Sequence, residues 1–155
     1  MDSVIATTVS VRTATLADAV GISVCLFELG YGTSASLVTE KLTSLLPTPI
    51  DAVFVASCLT GAGLLGVVSV HVLPLFHAHG GLARITSLAV RAEAQGQGVG
   101  QALVAAAEAW AWSQGSQRIE VTSGDHRPEA HAFYQAIGYS LDERRFIKHS
   151  HARAS

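Results

Sequence analysis

Residues 88–112 read LAVRAEAQGQGVGQALVAAAEAWAW. A short apolar run ends at Val90, a polar loop comes next, and Gly96, Gly98 and Gly100 alternate with other residues before an Ala-rich pattern begins. That pattern repeats with helical spacing, placing Val99, Leu103, Ala106, Ala107 and Trp110 on one face. Strand, glycine loop and helix are therefore consecutive here. Residues 118–122 supply a further strand, with Ile119 and Val121 facing one way. A strand, a helix and a second strand in one sheet imply a right-handed crossover and a parallel pair.

The rest of the chain sets that pair in a mixed sheet. Residues 9–12 alternate as a first strand. Thr15 and Asp18 resemble a capping box ahead of a helix that runs to Leu29 and stops at Gly30 and Gly32. A second helix spans 34–46, ended by Pro47 and Pro49. Apolar strands at 52–58 and 64–73 flank a turn at 61–63 and read as a hairpin. A loop at 74–81 leads to a strand at 82–90. Pro128 suits the first turn of a late helix, which Gly138 closes, and 139–141 with 144–148 make a last hairpin. The order is β-α-α-β-β-β-α-β-α-β-β.

At 155 residues the chain is long enough for one domain with a substantial core. Hydrophobic residues make up 49% and charged residues 14%, which excludes a disordered chain and leaves a surface apolar enough to support a homodimer. The net charge of −2, with Lys41 and Lys148 the two lysines, argues against a nucleic-acid partner. Cys25 and Cys58 make no disulfide scaffold and read as core residues. No signal peptide is legible at the N-terminus. No uncharged apolar run reaches about 18 residues, so no membrane association is expected, and cytoplasm is the default. His77 and His79 lack a third ligand nearby, so no metal is expected.

A helix N-terminus leaves backbone N–H groups free and carries partial positive charge, and glycines let an anion approach. Gln95, Gly96, Gln97, Gly98, Val99, Gly100 and Gln101 are thus placed to cradle a phosphate or to make a plain tight turn. A Walker loop needs Lys and a hydroxyl residue where Gln101 and Ala102 stand. A dinucleotide fingerprint needs a glycine at 101; Glu120 lies at a suitable distance for a ribose, but three strands in hairpin order precede the loop. Residues 95–100 do match the Arg/Gln-x-x-Gly-x-Gly/Ala signature of the GNAT N-acetyltransferase superfamily. Downstream, Phe133-Tyr134, three residues and Gly138-Tyr139 resemble the late helix of that family, and residues 12–19 resemble many of its N-termini. The resemblance covers nearly the whole chain and is strongest over 82–139.

The resemblance implies a mixed, mostly antiparallel α/β sheet with a central, splayed parallel pair and about four flanking helices. It implies acetyl-CoA as cosubstrate, with Leu88, Ala89 and Val90 along the pantetheine arm and the backbone of 95–101 on the pyrophosphate. Arg127 would meet a CoA phosphate or cap its helix, and Phe133 would pack on the cofactor or in the core. Tyr134 stands at the general-acid position, where a phenol can protonate the thiolate, or is a core tyrosine. Glu28 and Tyr31 would face the amine acceptor or simply cap a helix.

Many relatives carry a base Glu near Thr86. Threonine cannot serve so, which leaves water, His71, Glu28 or His126 to take the proton, or an ordinary strand role for His71. The expected activity is acetyl transfer to a primary amine of a small molecule or peptide by direct attack. The rival classes are a non-catalytic acyl-CoA sensor and a nucleotide-binding interaction domain.

Overall fold

Valine-rich runs account for the sheet. β1 (Val9–Thr13), β2 (Asp51–Cys58), β3 (Leu64–Pro74), β4 (Gly81–Val90) and β5 (Ser116–Val121) lie side by side in chain order. The computed structural model describes residues 8–59, 61, 63–122, 128–142 and 145–151. The chain divides into two compact units, residues 1–122 and 123–155, and the sheet belongs to the first. β1 to β4 are joined by antiparallel pairings, while β4 and β5 run parallel. The expected mixed sheet with a parallel pair is therefore present.

Alternate side chains separate the two faces. Val53, Val55, Val67 and Ala89 point to one face, against Ala19, Ile22 and Cys25 of α1 (Ala19–Leu26) and Val38 and Leu42 of α2 (Ala35–Leu45). Burial pushes the Cys25 thiol up to about 11, so it is an inert core group. On the opposite face, α3 (Val99–Ser113) buries Val99, Leu103, Val104, Ala107 and Ala111. Each Leu or Val removed from water there contributes about 1.5–3 kcal/mol. Among the described residues no helix is long and apolar enough to cross a membrane.

The first helix is less regular than its pattern suggests. Short 3-10 turns, Leu16–Asp18 and Phe27–Leu29, flank α1, and Gly30 closes the second at φ 87°. The Asp18 carboxylate accepts from Thr15 N–H at 2.8 Å and from both terminal nitrogens of Arg12 at 2.8 Å. The Arg12 hydrogen bonds hold that carboxyl below its usual range despite its burial. Ser34 caps α2 by accepting from Leu37 N–H at 3.0 Å.

The second unit holds α4 (Pro128–Ala136), ended by Gly138 at φ 104°. The expected closing hairpin is not formed: 139–142 and 145–150 have no regular structure, and 143 and 144 lie outside the described residues. Tyr139 N–H is already committed to the Tyr134 carbonyl at 2.9 Å. Residues 140–148 are rich in charge, a poor strand sequence.

Two irregularities position the functional region. β3 and β4 pair residue for residue except at one point, where Ser69 opposes Ser87 and Val70 opposes Ile85. Thr86 is the extra residue of a β-bulge, a feature that bends a strand. Among the described residues β5 pairs with β4 over Gly81–Ile85, and the last such pair, Ile85 with Val121, immediately precedes the bulge. The other irregularity is Gly66 on β3. A Cβ there would lie 2.8 Å from the Ala89 carbonyl oxygen and 2.9 Å from Leu103 Cδ1. The start of α3 thus rests directly on the backbone of β3. Gly66→Ala should destabilise the fold by about 1–3 kcal/mol, read as a lower urea midpoint at unchanged slope.

Candidate active site

The free edge of β4 is the first element of the site. Arg91 N–H donates to the Leu65 carbonyl at 2.8 Å, so Arg91 turns its polar backbone toward β3. By the two-residue alternation of a strand, Ala89 does the same, while Leu88 and Val90 turn theirs away from β3. That is the β5 side, where among the described residues no pairing with β4 follows Ile85. Leu88 and Val90 therefore present backbone groups to the gap. Ala89 does not, and its methyl is sealed in the core at 2% exposure. One group is already partnered: Gln95 Nε2–H donates to the Val90 carbonyl at 3.0 Å.

The glycine loop is the second element. A 3-10 turn, Ala92–Ala94, leads to Gln95, and Gly96 and Gly98 take left-handed φ values of 79° and 85°. Gly98 is the N-cap of α3, with no side-chain cap and no acid in the first turn. The first intrahelical bond is Ala102 N–H to the Gly98 carbonyl at 3.0 Å. The N–H groups of Val99, Gly100 and Gln101 precede it and have no acceptor within the helix. The loop is braced from below. Gln97 Nε2–H donates to the Glu93 carbonyl at 3.3 Å, Arg91 pairs with Glu93, and Ala94 and Val99 are buried. The result is an exposed, uncapped helix N-terminus at the end of the β4 gap, with the electrostatics of an anion site.

A polar chain on the α1–α2 face is the third element. His71 Nε2 and Thr86 Oγ1 are 2.8 Å apart, as are His71 Nδ1 and Asp51 Oδ1. Ser69 Oγ lies 2.8 Å from Thr86 Oγ1, and Thr48 Oγ1–H donates to Asp51 Oδ2 at 2.5 Å. Burial works to raise the Asp51 carboxyl, but the hydrogen bonds from Thr48 and His71 outweigh it and hold the group below the ordinary value. Asp51 and His71 are cross-strand partners on β2 and β3, so hairpin register creates the pair. His71 and Thr86 were expected at the site. Asp51, Ser69 and Thr48 were not, because nothing local in the sequence marks them.

The remaining expected residues lie apart. Glu28 and Tyr31 are exposed beside Gly30, and among the described residues no hydrogen bond ties them to His71 or Thr86. Arg127 and His126 fall outside the described residues. In the second unit, Phe133 and Tyr134 meet edge-to-face at 5.1 Å, and Tyr134 meets Tyr139 at 5.8 Å. Burial pushes the Tyr134 phenol up to about 12. His77 and His79 are exposed in the β3–β4 loop, and among the described residues no three His, Cys, Asp or Glu side chains gather as a metal site.

Known proteins share this architecture. A family model described as the acetyltransferase (GNAT) family matches residues 32–139. No curated protein sequence matches the chain. A glucosamine-6-phosphate N-acetyltransferase from Arabidopsis thaliana is similar in structure, with TM-score 0.79 at 18% identity over 92% of this chain and 98% of its own. A transcriptional regulator from Bacillus halodurans has TM-score 0.79 at 22% identity, over 92% of this chain and 100% of its own. An aminoglycoside acetyltransferase from an uncultured soil metagenomic sample has TM-score 0.76 at 20% identity, over 94% and 97%. At these identities the structures speak to the fold.

The loop geometry can be tested by itself. No atom lies within 4 Å of a Cβ built on Gly98, so Gly98→Ala meets only the left-handed backbone. It should cost about 1–2 kcal/mol of stability. It should also weaken inorganic pyrophosphate binding, read by calorimetry, more than a surface substitution of equal stability cost does.

Proposed function

The chain belongs to the GNAT acetyltransferase family, and on that premise we propose that it moves an acetyl group from acetyl-CoA to a primary amine of a small molecule or peptide. The observation that carries this reading is that, among the described residues, β4 pairs with β5 no further than Ile85, just before the bulge at Thr86, with uncapped N–H groups at the start of α3 beyond it. Pantetheine is an amide chain and needs strand-like partners; Leu88 offers N–H and C=O, and Val90 offers N–H. The pyrophosphate needs donors and positive potential, which Val99, Gly100 and Gln101 offer. Gln95 and Gln97 serve by bracing the loop rather than by charge.

The reaction itself makes three demands. The acceptor must be a neutral amine. The thioester oxygen, which gains charge as C–N forms, needs a donor, and the Leu88 to Val90 backbone is the proposed source. The sulfur, which gains charge as C–S breaks, needs a donor as well. The family motif assigns that role to Tyr134. A phenol near 12 is protonated throughout the neutral range. It is also a weaker acid than an ordinary thiol, by about 3 pKa units or 4 kcal/mol. Tyr134 is therefore suited to hydrogen-bond the developing thiolate rather than to surrender its proton early.

The second reading, an acyl-CoA sensor without turnover, is favoured by Thr86 standing where many relatives carry Glu. One experiment separates the two. Acetyl-CoA should raise the melting temperature more than NAD or ATP does, and an amine panel should release free thiol. Stabilisation without turnover on any amine would favour the sensor, and no stabilisation by any CoA would defeat both. Tyr134→Phe should lower kcat by about 10- to 100-fold with acetyl-CoA affinity nearly unchanged. An unchanged kcat would return Tyr134 to a packing role.

A further inference from the structure

The amine arrives at neutral pH as an ammonium, and something must take its proton. Thr86 cannot do so alone. Its neighbours decide the question. Asp51 is ionised, so its oxygens only accept, and His71 Nδ1 must be the donor of their 2.8 Å bond. The neutral imidazole then carries its lone pair on Nε2, which faces the Thr86 hydroxyl at 2.8 Å. Thr86 O–H donates to Nε2, and Ser69 O–H, 2.8 Å away, donates to Thr86. The hydroxyl hydrogens of Ser69 and Thr86 are thus both directed toward His71, and one Thr86 lone pair remains for an incoming donor.

The chain also ends in the right place. An arm gripped by the glycine loop would run back along Val90 and Leu88, and Thr86 lies two residues before Leu88, about 7 Å along the strand. Thr86 is exposed, whereas the side chains of His71 and Asp51 are 22% and 17% exposed. The chain leads from the mouth of the gap into a shielded acceptor. The rival acid on the neighbouring strand is occupied: Glu120 takes Arg84 at 3.1 Å and Arg118 at 3.1 Å.

We propose that Thr86, His71 and Asp51 form the proton acceptor for the attacking amine. Thr86 is the group that touches the ammonium, and His71 and Asp51 act through it. This rests on the acetyl-CoA transferase reading. The ammonium N–H gives its proton to Thr86 Oγ1 as the Thr86 proton passes to His71 Nε2. The imidazolium so formed is held by the Asp51 carboxylate. The freed lone pair attacks the thioester carbon; C–N forms and C–S breaks. The second amine proton goes to the departing sulfur, giving amide and CoA thiol, and the imidazolium returns its proton to water. A Thr therefore stands where a base is expected because the base lies one strand away, on β3.

The relay makes the rate depend on pH. His71 Nε2 can accept only while it holds a lone pair, so kcat/KM should fall on the acid side. The charged groups around His71 are Asp51 of β2, its cross-strand partner Arg84 of β4 (paired with Glu120 of β5), and, exposed on the elements over that face, Glu28, Glu40 and Lys41.

The test is the pH profile of thiol release for wild type, His71→Gln, Asp51→Asn, Thr86→Val and Thr86→Ser, with acetyl-CoA thermal shifts on each. His71→Gln and Thr86→Val should lose about 100-fold or more in kcat at pH 7. The loss should shrink as pH approaches the amine's own pKa, where free amine no longer needs a base. Thr86→Ser should restore the rate, and acetyl-CoA stabilisation should persist throughout. If wild type turns over and His71→Gln keeps the same rate and acid limb, the relay is overturned and the transferase reading stands. If wild type is inert toward every amine, both fall together.

Discussion

The extra residue at Thr86 is the constraint on which the rest of the site depends. The bulge sits where the described pairing of β4 with β5 ends, and beyond it Leu88 and Val90 turn their polar backbone groups away from β3. Such groups must find water or a ligand. The same residue carries the hydroxyl that joins Ser69 and His71. One extra residue thus marks the end of the described β4–β5 pairing and carries the hydroxyl around which the polar chain is built.

The gap is useful only if the helix that closes it is held still. Close packing does this. Gly66 admits Leu103 and Val99 against the backbone of β3, and Val99 is 1% exposed although it is the first residue of α3. The N–H groups of the first turn are therefore anchored by the core of the sheet rather than by the loop. Within the loop, neutral glutamines brace the turn, and the one ion pair, Arg91 with Glu93, lies before it. The attraction for an anion comes from oriented backbone rather than from side-chain charge. This accords with a chain of net charge −2 that has two lysines.

Much of the architecture was legible because it rests on local rules. Gly30, Ser34 and Gly98 bound their elements as caps and stops, and the valine runs are strands. The motif positions at 95–100 mark a glycine loop on a helix start. Where sequence and structure differ, the deciding contact is not local. Residues 139–142 and 145–148 have short strand-like runs but no regular structure, and Tyr139 N–H is taken by the Tyr134 carbonyl at the end of α4. Ala89 looks like its neighbours in sequence, yet strand phase turns its backbone to β3. Asp51 has the look of a residue in a loop-to-strand step. It becomes half of a hydrogen-bonded pair only because hairpin register sets it opposite His71.

What the sequence determined by itself is the order of elements, the apolar faces and the presence of an anion-ready helix N-terminus. These rest on periodicity, on glycine's freedom at positive φ and on the unpaired donors of any helix start. Tertiary structure alone decided where the bulge falls in β4, which two residues of the strand end turn their backbone away from β3, and that a histidine on β3 stands behind Thr86. Each depends on strand register. Moving the pairing by one residue would turn every one of these groups to the other side without changing a letter of the sequence.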